Sequence, residues 1–131
     1  MAKVPHTRSE SPAHWTPTRM LARLDGDRGL AVQLAGIFID EYPNMMQRLR
    51  DAVTAGSADE VRRAAHALKG SISNFIDGGP TATAYELETM GRKGQLDGTR
   101  PLLDRLDREL IELTACLREF QSKGAGSTGG S

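Results

Sequence analysis

Apolar residues recur along this chain at spacings of three and four, the repeat of an α-helix with one buried face. The cleanest run lies near the C-terminus, where Leu103, Leu106, Leu110, Leu113, Leu117 and Phe120 are spaced 3, 4, 3, 4, 3. Such spacing holds one seam against neighbours in a bundle packed near about 20°. That helix is predicted to start near Thr99-Arg100-Pro101. A second stripe, Val61, Ala65, Leu68, Ile72, Phe75 and Ile76, predicts a central helix. Ser57-Ala58-Asp59-Glu60 before it is a capping-box sequence, and Asp77-Gly78-Gly79 releases it after about Ile76.

Upstream, Thr16-Pro17-Thr18 predicts the start of a short helix carrying Met20, Leu21 and Leu24 and ended near Gly26. From about Asp27, Leu30, Leu34, Ile37 and Phe38 form one apolar stripe. Pro43 interrupts it, and Tyr42, Met45, Met46, Leu49 and Val53 resume helical spacing to about Ala55. Because proline lacks an amide donor and crowds the preceding turn, a kinked helix or two helices in series are expected. Pro80-Thr81 opens a weaker helix with Ala84, Leu87 and Met90 inward, ending in a loop from Gly91 to Gly98. Outside these elements, residues 1–15 read as a flexible leader from which Trp15 could pack back. Residues 16–121 read as the folded domain, and 122–131 as a flexible Gly/Ser-rich tail.

Composition agrees with an all-α domain. Of 131 residues, 38% are hydrophobic and only 5% aromatic, a balance that suits a bundle filled by Leu, Ile, Val, Met and Ala. Seventeen basic side chains match seventeen acidic ones, so the overall charge does not favour nucleic acid. The single cysteine, Cys116, excludes an internal disulfide framework and fits a reducing compartment; on the flank of the leucine seam it reads as a packing residue. No apolar run reaches the roughly 18 residues of a membrane span, and no signal-peptide segment is present. A soluble, cytoplasmic protein is expected, and the cytoplasmic end of a membrane-bound sensor would read the same.

The central helix carries the candidate chemistry. Roughly 110° from its apolar stripe lie Arg62, His66, Lys69, Gly70 and Ser73. A neutral imidazole is a nucleophile, and flanking cations disfavour its protonation. Lys69, at i+3, would sit beside any phosphoryl group carried by His66. Gly70 costs the helix about 1 kcal/mol relative to alanine and clears space for another protein's reactive group. Together these suggest a histidine phosphorylated in exchange with a docked partner. A lone helical histidine is nonetheless more often a surface side chain than a site. A bundle metal centre would need Glu-x-x-His pairs, and Arg63 stands where that glutamate should be. No Gly-rich phosphate cradle or kinase signature occurs. His6 and His14 lie in the leader without neighbours of chemical interest. Spacing alone stops at a helical bundle with an unusual histidine face.

Ala65-His66-Ala67-Leu68-Lys69-Gly70-Ser71, with Asn74 following, resembles the signature of histidine-containing phosphotransfer (HPt) domains. The similarity extends over roughly residues 21–120. Leu24-Asp25-Gly26-Asp27, Phe38 with Pro43, Leu49 with Ala52, and Leu87-Glu88 all resemble family positions. The resemblance implies an elongated antiparallel four-helix bundle, here with a short extra N-terminal helix. It also implies a phosphorelay role, in which His66 takes a phosphoryl group from the aspartate of one receiver domain and passes it to another. Lys69 would stabilise the phosphate, Gly70 would give the partner clearance, and Arg62 and Ser73 would contact it. The partners implied are response-regulator receiver domains, with a hybrid histidine kinase as a covalently linked source. The protein would be a monomeric phosphocarrier without an ATP site, in contact with neither nucleic acid nor membrane. It would need no cofactor of its own, Mg²⁺ being supplied by the receiver. The receiver is expected to rest partly on the helix around Leu34 to Tyr42. A non-catalytic receiver-docking bundle and the phosphotransfer module of a chemotaxis-type kinase are the alternatives. The chain departs from the family pattern in Asn74-Phe75-Ile76-Asp77 after the motif, in Ser57 for a commoner aspartate, and in a leucine-poor helix after Pro80. That last helix is therefore expected to be the loosest wall.

Overall fold

The computed structural model describes residues 15–130, with side chains as far as residue 123. Five helices follow one another: α1 (Pro17–Arg23), α2 (Arg28–Ala55), α3 (Ala58–Ile72), α4 (Pro80–Lys93) and α5 (Thr99–Gly130). The four long helices close a ring in which α2 packs on α3, α3 on α4, α4 on α5 and α5 on α2. The described residues contain no strand. The expected leader to residue 14, with His6 and His14, lies outside them; Trp15 is buried with the core.

Two helix starts are capped as the sequence suggests, at Thr16 and Ser57, and Asp27 caps a third. The Thr16 hydroxyl accepts from the Arg19 amide at 3.1 Å, the Asp27 carboxylate from Leu30 at 2.9 Å, and the Ser57 hydroxyl from Glu60 at 3.3 Å. Each satisfies an amide that the first turn leaves without a helical partner. At Ser57 the capping box is half realised, because the Ser57 amide donates to the Ala52 carbonyl. Gly56 just before it has φ 69°, the left-handed conformation that ends α2 and lets the chain reverse.

The packing decides one open expectation and corrects three others. Pro43 lies inside one helix, α2, so of the two alternatives the pair of helices in series does not hold. The buried stripe of α2 is Ala31, Ala35, Phe38, Met46, Leu49 and Ala52, whereas Leu30 and Ile37 are 38% and 54% exposed. Alanine on the inner face lets α2 approach its neighbours, which turns the larger side chains outward. A further correction concerns α3, which ends at Ile72; tight turns follow, with the Phe75 amide bonded to the Ile72 carbonyl at 2.9 Å. Phe75 and Ile76 stay buried all the same, and the Phe75 ring lies 5.4 Å from that of Phe38. Finally α4 continues through Gly91 to Lys93, with Gly94 as its left-handed cap. α4 packs closely on α3 and is no loose wall there, whereas its contact with α5 is the sparsest of the four around the ring.

The leucine seam of α5 is buried throughout, from Leu103 to Phe120. Cys116 sits on its flank, where burial and then the charges of Glu119 and Glu112 push its thiol pKa up. This thiol is protonated at neutral pH and suited to packing. Once packed, a helix adds one hydrogen bond per residue, and α5 is drawn on through residues 122–130, the stretch whose composition predicts a tail. At the same end of the bundle, Arg23 of α1 reaches the exit of α3. Its guanidinium donates to the Ser73 carbonyl, with Nε at 2.9 Å, and lies 3.7 Å from the Asp77 carboxylate.

Candidate functional site

The site stands where α3 and α4 run closest together. Gly91 sets that distance: a Cβ there would lie 2.6 Å from the Arg62 amide nitrogen and 2.7 Å from the Ala58 carbonyl oxygen. Any side chain at position 91 would therefore force the helices apart. Moving back along α4 means moving forward along α3, so Gly91 faces Arg62, Glu88 faces His66 and Lys69, and Tyr85 faces Lys69. This order is that of an antiparallel pair.

Glu88 is the buried centre of the arrangement, its side chain only 7% exposed. Oε2 accepts from an Arg92 amino group at 2.9 Å and lies 3.1 Å from His66 Nδ1. Oε1 lies 2.9 Å from Lys69 Nζ, an ion pair at hydrogen-bonding distance. Burial raises the pKa of this carboxyl, but Lys69 and then His66 outweigh it and bring it below its ordinary value. Glu88 is thus ionised at neutral pH. An ionised carboxylate only accepts hydrogen bonds, so the ring proton of neutral His66 sits on Nδ1. The lone pair is then on Nε2, on a side chain that is 64% exposed. No described protein group hydrogen-bonds Nε2.

Lys69 is 26% exposed and lies between Glu88 and the Tyr85 ring, whose centroid is 5.0 Å from Nζ. At Gly70 an added Cβ would meet nothing within 4 Å, so nothing in the bundle itself requires glycine there. Arg62 is drawn away from His66: its guanidinium binds Asp59 at 2.9 and 3.3 Å, while Arg63 takes the other Asp59 oxygen at 3.1 Å. Arg62 leads the interactions that hold the Asp59 pKa below its ordinary value. The Ser73 hydroxyl donates to the Gly70 carbonyl at 2.8 Å. Of the five residues read from the sequence, His66 and Lys69 meet at Glu88, while Arg62 pairs with Asp59 and Ser73 with Gly70; the group set against His66 is a carboxylate rather than a pair of cations.

Three contributors from α4 escaped the reading of α3 alone: Glu88, Arg92 and Tyr85. Glu88 was visible only as half of the family-like Leu87-Glu88 pair. On the other flank of α3, Leu34, Ile37, Phe38 and Glu41 of α2 with Ser71 and Asn74 line a cleft of about 140 Å³. A larger groove of about 410 Å³ lies farther along the same junction, between Met45, Ala52, Ala55, Ala64 and Ala67. Among the described residues no group of three His, Cys, Asp or Glu side chains could hold a metal ion. No described helix is long and apolar enough to cross a membrane.

Comparison with known proteins agrees with this geometry. No curated protein sequence matches the chain. The crystal structure of histidine-containing phosphotransfer protein B (HptB) from Pseudomonas aeruginosa PAO1 superposes with a TM-score of 0.77 at 25% sequence identity, covering 86% of this chain and 98% of that one. The family model described as Hpt domain matches residues 33–119, a span that includes the whole of α3 and α4 and the His66 face between them. With the model matched over most of its length, the chain belongs to the Hpt domain family.

Proposed function

We propose that His66 is the phosphoacceptor of a phosphorelay, receiving a phosphoryl group from the aspartyl phosphate of one receiver domain and donating it to the aspartate of another. The observation that carries this reading is the exposed Nε2, left with its lone pair by the Nδ1 contact to buried Glu88. In the forward step the Nε2 lone pair forms a bond to phosphorus while the bond from phosphorus to the aspartate oxygen breaks, and the carboxylate leaves with that electron pair. The Nδ1 proton stays in place, and Glu88 faces the positive charge that develops on the ring. Such transfer depends on positioning and charge neutralisation, with little covalent work for either protein.

Lys69 is the cation nearest the incoming phosphoryl oxygens, and Gly70 leaves the partner room beside the ring. Arg62 and Ser73 frame the two ends of the contact face. The exposed Leu30 and Ile37, with the cleft beside them, supply an apolar seat for the receiver on α2. The receiver brings the acidic pocket and Mg²⁺, and this chain works without a cofactor of its own, in the cytoplasm, as a phosphocarrier. Incubation with a phosphorylated receiver and Mg²⁺ tests the assignment. Acid-labile, base-stable phosphate should appear on the chain and be absent from His66→Gln; label persisting in that variant would remove His66 from the relay.

A further inference from the structure

Glu88 has more positive partners than orienting His66 requires. The carboxylate is buried, and a buried charge left without a partner is costly. Two cations serve it in different ways. Lys69 comes from the facing helix α3, pairs with Oε1 at 2.9 Å, and also borders the Tyr85 ring. Arg92 comes from α4 itself, four residues after Glu88, and donates an aligned hydrogen bond at 2.9 Å to Oε2. Oε2 is also the oxygen facing His66 Nδ1. The Arg92 side chain is half exposed and makes no other described contact.

We infer that Arg92 is a positioning residue for the transfer, holding Glu88 neutralised so that Lys69 can leave it for the phosphoryl group on His66. The inference rests on the phosphohistidine reading. A phosphoryl group on Nε2 places a doubly charged set of oxygens within a turn of Lys69, which is a compact charge on a flexible stem. Lys69 is the partner free to turn, because a rotatable ammonium on a long flexible stem can swing from Oε1 toward the phosphoryl oxygens. If Lys69 were the sole cation on Glu88, its departure would strand a buried carboxylate, and Glu88 would compete with the phosphoryl group for it. Arg92 removes that competition. It lies on the same helix as Glu88, at the i,i+4 spacing that favours pairing, so movement on α3 does not disturb it. With Arg92 in place, Oε2 remains fixed as the acceptor for Nδ1 while the charge on Oε1 is released.

The test is a double-mutant cycle on the full chain, read as the rate of phosphohistidine formation from phosphoramidate by ³¹P NMR. Arg92→Ala and Arg92→Gln should each slow phosphorylation about tenfold, the scale of one charge-assisted interaction. Arg92→Lys should restore most of the rate. In a Glu88→Gln background no buried carboxylate holds Lys69, and Arg92→Ala should then change the rate less than about twofold, the two sites being coupled through the removed charge. An equal loss in both backgrounds would overturn the inference and place Arg92 on the phosphoryl group directly. A wild-type rate in Arg92→Ala and Arg92→Gln would overturn it as well. Failure of the wild-type chain to take label on His66 would instead overturn the phosphohistidine reading itself.

Discussion

The two flanks of α3 are built on opposite plans. Toward α4 the helices touch at Gly91, and the space beyond that contact is filled by one buried carboxylate with His66, Lys69 and Arg92 around it. Toward α2 the same helix borders open clefts, and Leu30 and Ile37 lie exposed on the α2 surface. The closed flank has few ways to rearrange, which suits an imidazole that must present one nitrogen in one direction. The open flank offers apolar area that the monomer leaves in water, which suits a surface completed by another protein. On the proposed reading, orientation and recognition would fall to different neighbours of one helix.

Substitutions on each flank should separate these duties. The largest effect is expected from Glu88→Ala, which removes the Nδ1 acceptor: phosphoryl uptake by His66 should fall about 10²-fold, the scale of a misplaced reacting group. Rates within a few-fold of wild type would show that the closed flank does not orient the ring. Next, Gly91→Ala should destabilise the bundle by about 1–3 kcal/mol through overpacking against Arg62 and Ala58. The same change at Gly70, where a Cβ meets only open space, should raise stability by about 0.5–1 kcal/mol while slowing transfer with the receiver. Urea unfolding of the pair would expose any error in the comparison, since it requires opposite signs. On the open flank, Ile37→Asp should weaken receiver binding about tenfold by placing a charge in an apolar contact, with stability unchanged. Titration calorimetry with the receiver would read this directly.

The smallest effect is a dependence on pH. Because the folded carboxyl of Glu88 has a pKa below its ordinary 4.5, its ionised pairing adds stability above that value. That stability is lost as pH falls through the folded pKa. The advantage of wild type over Glu88→Gln should therefore be present at pH 6, shrink below about pH 4.5 and vanish at lower pH. An advantage that persisted at low pH would mean the ion pairs are not its source.

Much of the helical framework was legible in the sequence, because caps and long apolar repeats act locally. Thr16 and Ser57 cap the helices they were read to cap, and the leucine seam of α5 is buried from end to end. Errors arose where a small residue decided the packing. Ala31 and Ala35 carry too little apolar weight to outvote Leu30 and Ile37 in a periodicity reading, yet they are the buried pair. Gly91 reads as a helix breaker in one dimension and is the point of closest helix contact in three. The His66 motif is contiguous and was found. Glu88 lies twenty-two residues further on and joins the site only because α4 folds back on α3. A charged residue in a helical pattern reads as solvent-facing, and only tertiary contact reveals a buried one.

The Arg23 bridge has a practical consequence for where the domain can be cut. The span recognised by the family model starts at residue 33 and stops at 119. A fragment trimmed to those limits would discard α1 and its grip on Ser73 and Asp77, the Asp27 cap of α2, and Phe120 at the end of the buried seam. Each loss falls on an end of the bundle, two of them beside the exit of the helix that carries His66. Residues 15–123 keep every one of these ties, and α1 acts as a splint across the far end of the histidine helix.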